Sequence, residues 1–467
     1  MAAATDNSIT DGRIHKAILR LALPTWASFF AHDLMGVVDM FFVGKLGASA
    51  VAAVGLSGAM IGIIIMLAQS VTVGTTALVA QAFGRGDSSR ASQVAAQGVS
   101  MALGLSVLLA AGGIPLAPAI VRLMGAEGDV ISGGTVYLRI LCGTGFTMLL
   151  GIAFSAALRG AGDATTPFLG MIVGNIVNLV LDPILIFGWA GIPALGVAGS
   201  AWATMIGRGT AMLFMAHAFF VSSRGTIQLH VRDLAPHVST MRTIAGIGLF
   251  SSGRVLVRNI SMLLIMRLAA MFGTAALAAF GLCFRLQMMI FGPTMGFSVA
   301  ASTVVGQNIG AHQPLRATRA GWIATTMAFC VVAVIATVFW AGAPWILPLF
   351  NDDPAVLSHG IVGLRWLSVS FAFMSMAMVL SFAMNGAGDT LRPMLVTGVA
   401  LLVFGVPLAY GLALWWDSML GLWVGVFASN ACVGLLSAWI FHCGAWKEVG
   451  RRNAVREEAL QDEAFPA

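Results

Sequence analysis

Charge is what this chain has least of. Only 9% of its 467 residues are charged, against about 25% in soluble globular domains. Hydrophobic residues make up 58% and mean hydropathy is +0.91, so water cannot be the main solvent. Cysteine is also scarce: Cys142, Cys283, Cys330, Cys432 and Cys443 are an odd number, all sit in apolar runs, and none forms a CxxC pair. No disulfide and no metal site are expected from them. The first sixteen residues are polar and contain Asp6 and Asp11, which is not the form of a signal or transit peptide. The first apolar span is therefore expected to stay as an anchor.

The alternation of a membrane β-barrel is missing as well. Barrel strands are short segments of about ten residues, whereas runs such as 99–116 are continuously apolar. Helices are the remaining way to span a bilayer, because they satisfy every backbone group internally. A bilayer core needs about 20 apolar residues per helix, and twelve such spans can be read. Six lie at 17–43, 50–83, 91–113, 130–158, 167–189 and 197–221. Six more lie at 243–271, 275–309, 320–340, 355–383, 391–415 and 419–441.

The basic residues orient the spans. On the side that holds both termini fall sixteen of the 25, whereas the opposite side has only Lys45 and Arg122. By the positive-inside rule both termini are cytoplasmic. A pI near 9.5 could indicate nucleic acid, but these cations are scattered over loops rather than gathered on one face with aromatic residues. Topology accounts for them, and no nucleic-acid partner is expected.

One pattern repeats at a fixed offset. GASAVAAVGL from Gly47 returns as GTAALAAFGL from Gly273, 226 residues later. The same offset carries Gln81 onto Gln307, Gly84 onto Gly310, Arg90 onto Arg316, Arg139 onto Arg365 and Pro167 onto Pro393. The turn GAGD at 160–163 recurs at 386–389. Six spans are an even number, so both halves enter from the same side as a parallel repeat. The expected organisation is a cytoplasmic tail 1–16, a six-helix bundle 17–221, a cytoplasmic linker 222–242, a second bundle 243–441 and a tail 442–467. A duplicated twelve-helix chain points to a transporter rather than a receptor or a pore assembled from several subunits. A monomer is expected.

Acidic residues are nearly excluded from the spans: only Asp33, Asp39 and Asp182 lie inside one. An ionisable group at that depth is a functional candidate. All three belong to the first half, and their counterparts at the 226-residue offset are Asn259, Ile265 and Leu408, so energetic coupling is expected to be asymmetric. In the fifth span Asn175, Asn178 and Asp182 follow spacings of three and four and share a helix face. Pro183 cannot donate to the carbonyl of Leu179, which is left free to bind a cation or water. Asp39 lies seven residues from His32, on nearly the same face, while Asp33 points elsewhere. Asp39 and Asp182 are the preferred pair. The alternative for the two asparagines is that they only join helices through hydrogen bonds.

The motifs VDMFFVGKLG at 38–47, Gln81 with Gly84, RGAGDATTP at 159–167, NLVLDP at 178–183, VGQNIGA at 305–311 and NGAGDTLRP at 385–393 resemble those of the multidrug and toxic compound extrusion family, over essentially the whole chain. The resemblance implies an all-α membrane protein of twelve helices in two six-helix bundles around a V-shaped cavity. It also implies an inner-membrane exporter that exchanges protons or sodium ions for bulky, often cationic or amphipathic organic compounds, without a cofactor. Asp39, Asn178 and Asp182 match the family's first-span Asp and fifth-span Asn-xxx-Asp. Tyr137 and Thr204 would complete the polar network, and Pro24 matches the proline at which the first helix bends. A sodium ion, if that is the coupling ion, would sit at Asp39, Asp182 and Asn178.

Two departures stand out. Some members carry a tyrosine four residues before the first Asp, where this chain has Met35. Another branch has a sodium-binding Glu in the seventh span, near which this chain has Arg258, with Arg254 one turn earlier. That pair is similar to the DNA-damage-inducible branch, and it would either attract anionic groups or pair with carbonyls and water. Arg139 and Arg365 read as residues that snorkel to an interface. Gln81 and Gln307 read as helix-end residues, and GAGD as a tight cytoplasmic turn. Many of the 26 methionines and 28 phenylalanines are expected in packing, with some lining an adaptable cavity. A flippase for lipid-linked precursors is the rival reading. A membrane enzyme lacks any nucleophile-and-base or metal cluster.

Overall fold

The computed structural model describes residues 9–191, 193–220 and 231–450. The first eight residues of the expected N-terminal tail, residues 222–230 of the expected linker and residues 451–467 of the C-terminal tail lie outside the described residues. No strand occurs among the described residues. The helices are α1 (Ile14–Gly44), α2 (Ala48–Gly84), α3 (Ser88–Leu123), α4 (Asp129–Gly143), α5 (Gly145–Gly160), α6 (Thr165–Phe187), α7 (Val197–Phe220), α8 (Val238–Met271), α9 (Thr274–Gly310), α10 (Pro314–Ile346), α11 (Pro354–Gly386), α12 (Leu391–Gly398), α13 (Val406–Trp415) and α14 (Met419–Cys443).

Nine helices, counted among the described residues, are long and apolar enough to cross a membrane. The pair α4 and α5, bent by 47°, makes a tenth. The sequence reading of 130–158 as one span therefore holds only as a broken helix, interrupted at Thr144. The other two expected spans are α7 and α8, continuous helices of 24 and 34 residues. Their hydropathy is diluted by Arg208 in one and by Arg242, Arg254, Arg258 and Arg267 in the other. The eleventh span is irregular too: α12 passes into α13 through a π-helix at Val399–Gly405. Pro407, which has no N–H, lies two residues beyond it, and a missing donor loosens the turn before it.

The helix ends follow local chemistry. Asp87 accepts the backbone N–H of Arg90 at 2.8 Å and caps α3, and Asp353 accepts that of Ala355 at 2.8 Å ahead of Pro354 in α11. Both GAGD turns place a glycine at positive φ, Gly162 at 96° and Gly388 at 85°, a conformation open to glycine. The aspartate that follows caps the next helix. Asp163 accepts from the backbone of Thr165 and Thr166, and Asp389 pairs with Arg392.

The chain forms two compact units. The first is Ala27–Gly248; the second joins residues up to Trp26 with Leu249 onward. The borders fall inside α1 and α8, not in the loop between the halves. In the first unit the core gathers Leu138, Leu141, Leu149 and Phe154, with Phe154 and Phe219 ring to ring at 5.3 Å. Helices α6 and α7 touch backbone to backbone: a Cβ on Gly174 would lie 2.6 Å from the Gly207 carbonyl, and one on Gly207 would lie 2.7 Å from that of Gly174. The beginning of α8 packs here on α2, with Gly74 and Gly248 against the backbones of Ile244 and Ser70 respectively. Gln97 of α3 fastens the segment before α8, since its amide donates to the carbonyls of Asp233 and Ala235 and accepts the N–H of His237, each at 2.8 Å.

In the second unit Leu364, Phe371 and Trp423 are fully buried. The beginning of α1 packs here on α9, where a Cβ on Gly296 would lie 2.7 Å from the Ala22 carbonyl and 3.0 Å from the Cβ of Trp26. Arg316 of α10 donates to the carbonyls of Ile9 and Gly12 just before α1. After α14 the chain folds back, Trp446 stacking on Phe441 at 4.8 Å.

Candidate functional site

Helix α6 presents its polar face as the spacing predicted. Asp182 is fully buried and Asn178 nearly so, and the Asn178 amide donates to Asp182 Oδ1 at 3.3 Å. Asn175 sits a turn earlier and donates to the Ala31 carbonyl of α1 at 3.0 Å, so it ties α6 to α1 rather than joining the carboxylate. The Gly174–Gly207 contact holds α7 against this same face. Small residues are what allow two membrane helices to approach this closely.

The carboxyl groups of Asp39 and Asp182 are close enough to interact with one another. Asp39 Oδ1 and Asp182 Oδ2 are both buried and have no hydrogen-bond partner. A buried carboxylate oxygen without a donor is costly. Tyr137 of α4, 5% exposed, stands within electrostatic range of both aspartates. Thr204 of α7 turns its hydroxyl to the Ser200 carbonyl at 2.9 Å, so its proton is spent on its own helix and only its oxygen lone pairs remain for the site. Asp33 is exposed and stays outside the pair. Pro24 and Pro183 both lie inside continuous helices, α1 and α6.

Sequence reasoning missed Arg208. One turn after Thr204 on α7, its guanidinium is within electrostatic range of Asp39, Tyr137 and His32 and contacts the Met148 sulfur at 2.9 Å. No salt bridge joins it to either aspartate among the described residues. Arg139, Arg254, Arg258 and Arg365 stand out in the sequence through the repeat or the family motifs; Arg208 has neither, and its spacing of four from Thr204 is the one signal that marks it.

In the second unit Arg254 places its guanidinium over the Phe382 ring at 5.2 Å, and Arg258 reaches the Met374 sulfur at 3.6 Å. Met374 is also contacted by the Gln287 amide at 3.1 Å. Ile265 is buried in the apolar core of this unit, and no group of three or more His, Cys, Asp or Glu among the described residues could hold a metal ion.

A duplicated helical chain of apolar spans, with two aspartates close together inside one unit, has the make-up of a membrane transporter. The MatE family profile matches it twice, at residues 24–184 and 251–411, and the chain belongs to the MatE family. The probable multidrug resistance protein NorM of Thermotoga maritima is 27% identical over 451 residues, covering 95% of this chain and 96% of that protein. The probable multidrug resistance protein YoeA of Bacillus subtilis is 28% identical, covering 88% of this chain and 90% of its own length. The outward-facing structure of a multidrug resistance MATE family transporter of the MOP superfamily is 27% identical, with a TM-score of 0.86, and covers 98% of this chain and 100% of that chain. Both matches of the family profile start 227 residues apart, in step with the internal repeat, and the membership fits a transporter rather than an enzyme.

Proposed function

We propose that this protein is a multidrug efflux antiporter in which a cation entering at Asp39 and Asp182 drives the export of bulky organic compounds by alternating access. The observation that carries the reading is the closeness of two carboxyl groups, each with a buried oxygen lacking a donor. Binding a cation there removes the cost of two like charges held in a low dielectric. A ligand shifts a conformational equilibrium only through such a difference in binding free energy. Asn178 orients Asp182, Asn175 and Tyr137 border the pair, and the oxygen of Thr204 adds an acceptor. Of the two ions that the family resemblance allows we take the proton, which two carboxyl groups sharing one site can hold between them; sodium would be held by Asp39, Asp182 and Asn178. Pro24 and Pro183 supply backbone irregularity, so that α1 and α6 can bend as the pair changes state.

The site acts in the inner membrane with both termini cytoplasmic, as the distribution of basic residues requires. The chain works as a monomer with two six-helix bundles, 17–221 and 243–441, joined by a cytoplasmic linker. The relatives named as multidrug resistance proteins support a broad substrate range. The test is efflux of the dye ethidium from proteoliposomes under an imposed pH or sodium gradient. Efflux driven by the pH gradient in the wild type, and lost in Asp39→Asn and Asp182→Asn, is the expected result. Undiminished efflux in both variants overturns the assignment.

A further inference from the structure

Arg254 and Arg258 stand at the middle of the 34-residue α8, one helical turn apart and on one face. Like charges at this spacing repel one another, and at membrane depth each is costly unless paired. Among the described residues the second unit offers them no carboxylate partner. Its described acids, Asp11, Asp352, Asp353, Asp389, Asp417 and Glu448, all fall outside the spans. An aromatic face and a thioether steady the two guanidiniums, but neither supplies negative charge. No protein oxygen among the described residues accepts from either one. A guanidinium presents five N–H donors in a planar fork matched to carboxylate and phosphate, and both side chains are only half-buried, which leaves room for a ligand group.

The repeat sharpens the contrast. The positions in α1 equivalent to Arg254 and Arg258 are Ser28 and His32, and those equivalent to the first unit's acids are Asn259, Ile265 and Leu408. One unit is built for a cation; the other holds two unneutralised cations of its own.

We propose that Arg254 and Arg258 form an oxyanion subsite that takes the carboxylate or phosphate of an organic anion, so that the exported compounds include anions. This deepens the reading of the chain as an exporter, on which it rests. Met374, shared between Arg258 and Gln287, gives the subsite an adaptable apolar wall.

The test is equilibrium binding to the full chain in non-ionic detergent, which needs no ion gradient and so can fail or succeed separately from the coupling assignment. Fluorescence polarisation follows 6-carboxyfluorescein, and rhodamine 6G, whose carboxyl is esterified, serves as the comparison. Arg254→Gln and Arg258→Gln should each weaken carboxyfluorescein about tenfold, in keeping with the loss of a charge-assisted hydrogen bond, and leave rhodamine 6G within about twofold. Arg258→Met keeps the apolar stem and serves if the glutamine variants do not yield monodisperse protein. Arg365→Gln, at an exposed arginine over Trp340, should change neither. Absence of carboxyfluorescein binding to the wild type, or wild-type affinity in the arginine variants, overturns the proposal. So does displacement of the probe by a few equivalents of phosphatidylglycerol, which would assign the pair to a lipid headgroup.

Discussion

Gly248 lies against the carbonyl of Ser70 so closely that any Cβ at 248 would overlap it, and the repeat-related residues, Ala22 and Gly296, make the same contact with the glycine on the opposite partner. Each close approach needs one residue without a side chain, and each half has met that need at a different end. Gly248→Val should therefore displace the start of α8 and lower stability by about 1–3 kcal/mol, as overpacking does. Gly281→Ala, with nothing within 4 Å of the added Cβ, should leave it unchanged. Thermal unfolding of the two variants in detergent makes the comparison.

Gln97→Ala removes three hydrogen bonds at once from the segment before α8. At about 1 kcal/mol each, their loss should free 233–237. Limited proteolysis should cut there faster than in the wild type, with the helical core intact by circular dichroism.

Asymmetry gives a third prediction. Carboxylates placed at Ile265 or Leu408 should not restore efflux to Asp39→Asn or Asp182→Asn, because the second unit lacks the amide face of Asn175 and Asn178, and Ile265 sits in its apolar core. Recovery of pH-driven efflux above the level of the single mutants would contradict this.

Arg208→Gln keeps the length and some donors of the side chain but removes its charge from the vicinity of Asp39 and Tyr137. Efflux should fall at least tenfold, with expression and melting temperature near those of the wild type. If melting falls in proportion to efflux, Arg208 serves packing against Met148 alone.

Single cysteines at Ser88 and Asp352 test the topology. With the native cysteines replaced, a membrane-impermeant maleimide added to intact cells should label the second and not the first.

Much of this was legible in the sequence because it depends on local pattern. Twelve spans and the Asn178–Asp182 face follow from apolar run length and helical spacing, the turn at GAGD from its glycines, and the fixed offset carried one half onto the other. The equivalence extends to single bonds: Arg139 donates to the Ile114 carbonyl and Arg365 to that of Trp340, both at 3.4 Å. What stayed hidden depends on partners distant in the chain. The reach of Arg208 to α1 and α4, the turning of Thr204 to its own helix, and the break at Thr144 leave no periodic trace. The same holds for the packing of the first turns of α1 and α8 on α9 and α2.

That last arrangement bears on ancestry. Arg316 secures the chain ahead of α1, while its counterpart Arg90 bonds Thr240 at the start of α8, so each repeat lends the head of its first helix to the fold completed by the other. A lone six-helix ancestor would have been left with an unfilled groove and an undocked helix head. Two copies related by a twofold axis could satisfy both at once by exchanging these elements, a low-cost route to a dimer. Fusion of the two genes would then have turned an exchange between molecules into one within a single polypeptide, leaving each copy free to lose what the other retained, carboxylates on one side and paired arginines on the other.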